Sequence, residues 1–330
     1  MLQLEGGAYR VEWGIALEHH DAGLPQGCWE DNGCELKLHV PNEFSFDENL
    51  NYLAAASNEC LFHTKDRRLY KAIPVEQETP VVEISADQDG AILIRFLGDT
   101  IPKEQRVRAA VARYVRDWFD LDTDLLPFYG MARRDRLLKQ AVERFYGLRN
   151  VGIPDLFEAI SWGIIGQQIN LTYAYTLKRR LVENFGRRVE CEGETYWIFP
   201  TPQVIAALTV EDLDVLHMTV KKCEYLIGVA KLMAEGQLTR DMLIDAGDIK
   251  KVEKKLVAIR GIGPWTANYV LMRCLRMPSA FPIDDVGLHN AIKFLLGTEK
   301  KPTKDEILKL SSGWTNWESY ATFYLWRFLY

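Results

Sequence analysis

Residues 261–263 read Gly-Ile-Gly, and a short way downstream the chain reads Pro282-Ile283-Asp284-Asp285. Two glycines around one residue permit a left-handed backbone and let another backbone come close. Gly261 sits where the residue after a helix end belongs. Pro264 sits where the first position of the next helix belongs, since its missing N–H would have no partner there anyway. The free N–H groups and positive dipole end of that next helix favour an anion such as phosphate. Lys250, Lys251, Lys254, Lys255 and Arg260, against Asp248 and Glu253, add a local excess of +3. A carboxylate near such a grip is placed to act on the strand that it holds. The bland readings remain open on these residues alone. Gly-x-Gly is also an ordinary tight turn, and an Asp before a helix is an ordinary cap contributing about 1 kcal/mol.

Two helices must position these groups. The spacing predicts one over residues 264–276 and a second over residues 286–296. On the first, Trp265 and Tyr269 share a face, with Met272 one turn on. A second aromatic group closes the chain: Trp314, Trp317, Tyr320, Phe323, Tyr324, Trp326, Phe328 and Tyr330. Most of that cluster is expected in the core. Flat, electron-rich rings also suit an extruded base, most of all a cationic one. Other catalytic patterns are missing: no Ser-His-Asp spacing, no HExxH, no Walker loop.

The run LVAIRGIGPWTANYV at residues 256–270, with the PIDD that follows, resembles the signature of the helix-hairpin-helix DNA glycosylase superfamily. The resemblance implies that Gly261, Ile262, Gly263 and Thr266 bind the DNA backbone. It also implies that the carbonyls of Arg260, Gly261 and Gly263 hold a monovalent cation. It gives the catalytic role to Asp285 and leaves Asp284 as runner-up and as the expected helix cap. Members that also nick the strand carry a lysine where this chain has Trp265, and tryptophan cannot form a Schiff base. A monofunctional enzyme that leaves an abasic site is therefore expected.

The segment WTNWESYATFYLW resembles the closing helix of the 3-methyladenine DNA glycosylase II branch. That likeness puts Trp326 against the flipped base, with Trp265 and Tyr269 lining the same pocket. IIGQQIN at residues 164–170 is similar to the branch's first core helix, which makes Gln168 the wedge; a polar pair on an exposed helix turn is the alternative. FPTP at residues 199–202 and LHMTVKKCEYLIGVAKL from residue 216 also match, and imply that Lys221 and Lys222 point at the DNA backbone. The likeness spans about residues 120–326. It implies a monomer that removes alkylated, cationic purines from duplex DNA by base flipping, in base excision repair. An 8-oxoguanine-type glycosylase and a non-catalytic, damage-sensing DNA-binding protein are the rivals. Some superfamily members hold an iron–sulfur cluster through four cysteines after the catalytic aspartate. No cysteine follows Cys274, so none is expected here.

Size and charge set the frame. The 330 residues suffice for two domains, and a net charge of −6 looks wrong for a DNA binder. The charge divides into −9 on residues 1–110 and +3 on residues 111–330. Six scattered cysteines without CxxC pairs, and no signal peptide or long apolar run, point to reduced thiols and a cytoplasmic protein working beside chromosomal DNA, with no membrane partner. His19-His20 reads as a loop pair. The expected architecture is α+β. A small N-terminal sheet-and-helix domain (residues 1–110), similar to half of a TATA-binding protein, precedes a helical glycosylase domain (residues 111–330) in two subdomains with a cleft between. Within the first, residues 46–56 read as a helix; residues 68–75, 80–86 and 91–97 read as strands, with a hairpin turn at Asp89-Gly90. Residues 106–119 read as an amphipathic helix. Residues 187–202 read as a loop, polar and then aromatic.

Overall fold

In the computed structural model, residues 27–56 and 58–329 are described; His19-His20 and Tyr330 lie outside them. Strands β1 (Trp29–Asp31) and β2 (Glu35–Leu38) are followed by α1 (Phe46–Ala55) and then by β3 (His63–Lys65), β4 (Arg68–Ala72), β5 (Val81–Ala86) and β6 (Ile92–Phe96). The six strands form one antiparallel sheet in the order β1-β2-β6-β5-β4-β3. The Asp89-Gly90 turn closes β5 onto β6: Gly90 has φ +84, and the Asp87 carboxylate accepts the N–H groups of Asp89 and Ala91, each at 2.9 Å. Alternation along the strands sends Val82, Ile84, Ile92 and Ile94 to the helical side, where the main core lies.

Helices follow: α2 (Gln105–Trp118), α3 (Leu126–Ala132), α4 (Leu138–Arg144), α5 (Leu156–Ile165) and α6 (Leu171–Phe185). Residues 187–202 then form a hairpin of β7 (Arg187–Cys191) and β8 (Glu194–Ile198), turning on Glu192 (φ +52) and Gly193 (φ +82). Cys191, Tyr196 and Ile198 cover Ala72, Val81 and Leu97 on the sheet's other face as a small second core. Both faces of the sheet are therefore covered by the helical part of the chain. The remaining helices are α7 (Pro202–Ala206), α8 (Val220–Ala234), α9 (Arg240–Ile244), α10 (Ile249–Val257), α11 (Pro264–Arg273), α12 (Val286–Leu296), α13 (Lys304–Leu310) and α14 (Glu318–Trp326). The α+β architecture is the one expected.

The change from sheet to helix falls between β6 and α2, but packing runs across it without a break. Asn49 of α1 donates to the Gly147 carbonyl at 3.0 Å and accepts the Arg149 N–H at 2.9 Å. One continuous core joins α1 and the sheet to α14, whose Tyr320, Phe323 and Tyr324 are fully enclosed with Trp314. The α11 helix stops at Arg273, three residues before the predicted end; Arg276 turns left-handed (φ +58) and the Met277 N–H goes back to the Leu271 carbonyl. No helix among the described residues is long and apolar enough to cross a membrane.

Candidate active site

The turn from α10 to α11 is built to leave a helix start open. Helix α10 ends at Val257, so Gly261 is the left-handed residue of the connecting turn (φ +96) rather than the residue just past the helix. A Cβ on Gly261 would collide with the Tyr225 ring. Gly263 is the cap residue of α11 and offers no side chain, while Pro264 opens the helix. A Cβ on Gly263 would meet nothing within 4 Å, so nothing inside the fold requires glycine there. The first-turn N–H groups of α11 have no carbonyl partner within the helix. An open groove runs along this turn past Arg260, Gly263 and Asp284.

Several residues expected at the DNA backbone also make contacts within the fold. Ile262 is buried and gives its N–H to the Ile259 carbonyl at 3.0 Å. Thr266 is buried against Gly163, and its hydroxyl lies 3.3 Å from Gln167 Nε2. The Lys222 ammonium donates to the Ile165 carbonyl at 2.8 Å, closing the end of α5, and burial lowers its pKa. Lys221 is exposed, and Arg260 pairs with Glu224 at 2.7 Å. Gln168 is exposed and left-handed (φ +57) in the turn between α5 and α6, so it sits on a sharp corner rather than on a helix. Its neighbour Gln167 donates from Nε2 to the Gly261 carbonyl at 2.9 Å, tying that corner to the glycine turn.

Of the carbonyls expected to hold a cation, that of Gly261 accepts from Gln167 Nε2 at 2.9 Å, and that of Gly263 accepts the Ala267 N–H at 2.9 Å.

The second helix start is filled. Asp285, not Asp284, caps α12: its Oδ1 accepts the Leu288 N–H at 2.7 Å. The same oxygen accepts Trp326 Nε1–H at 2.8 Å, and Oδ2 accepts Trp265 Nε1–H at 2.9 Å. Asp284 is exposed and pairs with Lys304 at 3.0 Å. The reversal has a simple geometric cause, since the residue just before the first helical turn is the one whose carboxylate reaches the third N–H beyond it. The loop before Asp285 is fixed at two points. Asn268 of α11 accepts the Phe281 N–H at 3.0 Å, and the Ile283 carbonyl lies 2.8 Å from His289 Nε2. Gly287 leaves room for this arrangement: its Cβ would stand 2.8 Å from Asp285 Oδ1 and 3.2 Å from Trp326 Nε1.

Asp285 borders a cavity of about 920 Å³. Trp265 stacks on Tyr269 (centroids 5.5 Å apart, planes at 28°), and Tyr269 faces Trp326 at 6.4 Å. Burial pushes the Tyr269 phenol up to about 12. The sequence-expected residues Asp285, Trp265, Tyr269, Trp326 and Gln168 thus line one space. The far side of the cavity was not foreseen. Tyr52 of α1 and Glu59 and Lys71 of the sheet region line it, together with Glu158 of α5 and Lys178 of α6. Lys178 bridges Glu59 at 2.8 Å and Glu158 at 2.9 Å; burial opposes its charge, but the two carboxylates outweigh that and hold its pKa well above the usual value. No linear motif marks these residues, because they come from five separated segments.

Two family models match the chain in sequence order: the N-terminal domain of 8-oxoguanine DNA glycosylase over residues 41–160, and the HhH-GPD superfamily of base excision DNA repair proteins over residues 162–316. A DNA-3-methyladenine glycosylase of Bacillus subtilis is 51% identical over 302 residues, covering 92% of this chain and 99% of that protein. Among solved structures, a 3-methyladenine DNA glycosylase from Archaeoglobus fulgidus superposes with a TM-score of 0.74 at 22% identity, over 88% of this chain and 97% of that one. An 8-oxoguanine glycosylase/lyase of Clostridium acetobutylicum superposes with a TM-score of 0.70 at 19% identity, over 91% and 96%. The last two share the fold with each other as well as with this chain, so fold alone does not choose between their chemistries. On the extent of the match to the Bacillus subtilis protein and on the hairpin-and-aspartate site, the chain belongs to the DNA-3-methyladenine glycosylase family within the HhH-GPD superfamily of base excision DNA repair proteins.

Proposed function

We propose that this chain is a monofunctional DNA glycosylase that removes alkylated purines, of the 3-methyladenine and 7-methylguanine kind, from duplex DNA and leaves an abasic site. The observation that carries the reading is the Asp285 carboxylate, held by two indole N–H groups at the mouth of an aromatic cavity and next to an open helix start. The open start of α11, with Arg260 beside it, takes a DNA phosphate through backbone N–H groups, and the exposed Lys221 adds a further backbone contact. Gln168, on its left-handed corner, enters the gap left by the extruded nucleotide. Trp265, Tyr269 and Trp326 then receive the base, and a cationic ring gains additionally from cation–π attraction.

Cleavage of the N-glycosidic bond passes through an oxocarbenium-like sugar, as in other glycoside hydrolyses. Asp285 stabilises that charge and orients or deprotonates the attacking water. An alkylated purine is already cationic and leaves without a proton, so one carboxylate is enough. A strand-nicking route needs an amine at the sugar. At position 265 there is an indole whose N–H is spent on Asp285. The work is done as a monomer on chromosomal DNA in the cytoplasm.

The match of residues 41–160 to the 8-oxoguanine glycosylase N-terminal model gives a second reading some footing. One experiment separates the readings. Methylated duplex DNA and, in parallel, duplex DNA carrying 8-oxoguanine are incubated with the wild-type chain and with Asp285→Asn, the released bases are identified by chromatography, and the strands are checked for nicks. Methylpurine release by the wild type alone, with intact strands, is expected. Release of 8-oxoguanine with nicking would give the second reading the lead. Tight DNA binding with no base release would leave a non-catalytic binder.

A further inference from the structure

The cavity beside Asp285 also carries charged groups to which the proposed function gives no task. Four carboxylates line the cavity: Glu59, Glu158, Asp284 and Asp285. Asp284 faces solvent with Lys304, and Asp285 is committed to the two indoles and the helix cap. Both oxygens of Glu59 are taken, Oε1 by the Cys60 and Leu61 N–H groups and Oε2 by Lys178. Glu158 differs. Its Oε1 accepts from Lys178 at 2.9 Å, while Oε2 receives no hydrogen bond from the described residues, although the residue is only 9% exposed. That oxygen is not fully enclosed, so it is open to accept a hydrogen bond from a group that enters the cavity. Buried ion pairs are also a poor source of stability, so the Glu59–Lys178–Glu158 group is better understood as holding a carboxylate in place than as holding the fold together.

Glu158 lines the same cavity as Trp265, Tyr269 and Trp326, and Tyr269 stacks on Trp265. A purine standing between Trp265, Tyr269 and Trp326 presents its edge to the far end of the cavity. The hydrogen-bond donors peculiar to adenine and guanine on that edge are their exocyclic amines, N6 and N2. We propose that Glu158, fixed by Lys178, accepts a hydrogen bond from the exocyclic amine of the flipped purine and so makes this site select alkylated bases that carry this amine over the same bases without it. The carboxylate adds a second negative charge facing a cationic base. Through Glu59, which steadies Lys178, the N-terminal part of the chain takes part in reading the substrate. This inference rests on the glycosylase reading and assigns that site its specificity.

The test compares two substrate pairs in duplex DNA: 7-methylguanine against 7-methylhypoxanthine, and 7-methyladenine against 7-methylpurine. Each release rate is divided by the spontaneous depurination rate of the same base, which removes differences in leaving ability. The wild type is expected to prefer the amino member of at least one pair about tenfold, and Glu158→Gln to cut that ratio about tenfold, the size of one weakened charge-assisted hydrogen bond. If Glu158→Gln does not fold, as judged by its melting curve, the wild-type ratios decide alone. Ratios near one in both pairs for the wild type, or ratios that Glu158→Gln leaves unchanged in both, overturn the proposal. Release of none of the four bases by the wild type would instead sink the glycosylase reading itself, so the two failures are told apart.

Discussion

Helices α11 and α12 start on either side of one cavity and are finished in opposite ways. The start of α11 has a glycine for a cap and open space where a side chain would be. The start of α12 is filled by Asp285, which takes one backbone N–H and two indole N–H groups. Both are positive dipole ends, and both favour an anion. The difference lies in who supplies it. At α12 the protein supplies its own, fixed in orientation; at α11 the place is kept for an anion of the substrate. A helix N-terminus is therefore not a site by itself. What the cap residue leaves free decides whether it grips or reacts.

The sharpest way to break this comparison is Asp285→Asn. Asparagine still caps α12, so the melting temperature should move little. Base release should fall about a thousandfold, within the range for losing a positioned acid–base or electrostatic group. Affinity for plain duplex DNA should stay, because that grip belongs to α11. Loss of DNA binding together with activity would show that the two helix starts do not divide the labour.

Trp326→Phe and Trp265→Phe weaken the same site by removing one N–H each. A hydrogen bond to a charged group contributes about 1.5–3 kcal/mol, so each change should slow base release by about 10- to 100-fold. The two should not be additive, since both act on one carboxylate. A variant with full activity would mean that Asp285 keeps its position without that indole. Gly287→Ala belongs to this group as well, because its methyl would press on Asp285 and Trp326. It should lower activity without weakening duplex binding.

The α11 side is probed through its two glycines, which should fail differently. Gly261→Ala forces a side chain into a left-handed conformation and onto the Tyr225 ring. The strain costs about 1–3 kcal/mol, and the melting temperature should drop accordingly. Gly263→Ala meets nothing in the fold, and loses at most the roughly 1 kcal/mol that separates alanine from a good cap. Its effect should appear in duplex binding, as weaker affinity and a salt dependence shallower by about one phosphate contact. Equal loss of stability in both variants, with unchanged affinity, would remove the phosphate from the account.

How much of this was legible beforehand follows from how local each feature is. The Gly-Ile-Gly-Pro turn and the helix behind PIDD are written in consecutive residues, so their places could be read, and the Asp89-Gly90 hairpin likewise. The choice between Asp284 and Asp285 as cap could not, because either can reach an N–H on paper and only the helix start settles which one does. The resemblance put Lys222 and Thr266 at the DNA backbone, and their contacts with Ile165 and Gln167 depend on packing that no short stretch of sequence records. The hairpin at residues 187–198 was missed since its turn is Glu-Gly rather than Asn-Gly or Asp-Gly, and its purpose is to cover a sheet face far away in sequence. Glu59, Glu158 and Lys178 meet only in three dimensions.

Another aspartate cap, on α5, gives the smallest and most delicate test of the comparison. Asp155 accepts the Glu158 N–H at 2.6 Å, as Asp285 accepts that of Leu288. Burial pushes the Asp155 carboxyl up from 3.8 to about 6; the Glu158 charge adds to the rise, while the backbone N–H bonds oppose it. The sign follows from proton counting. Between about pH 4 and 6 the unfolded chain releases this proton and the folded chain keeps it, so stability falls as pH rises through that window and levels off above it. Asp155→Asn keeps the cap and abolishes the titration. Melting curves taken from pH 4 to pH 7 should show the wild type losing ground to Asp155→Asn up to about pH 6 and then running parallel. Curves parallel throughout would mean that the α5 cap is charged at no cost. Burial would then not be what distinguishes this cap from the one at α12, where two indole N–H groups stabilise the carboxylate that Asp155 must hold without them.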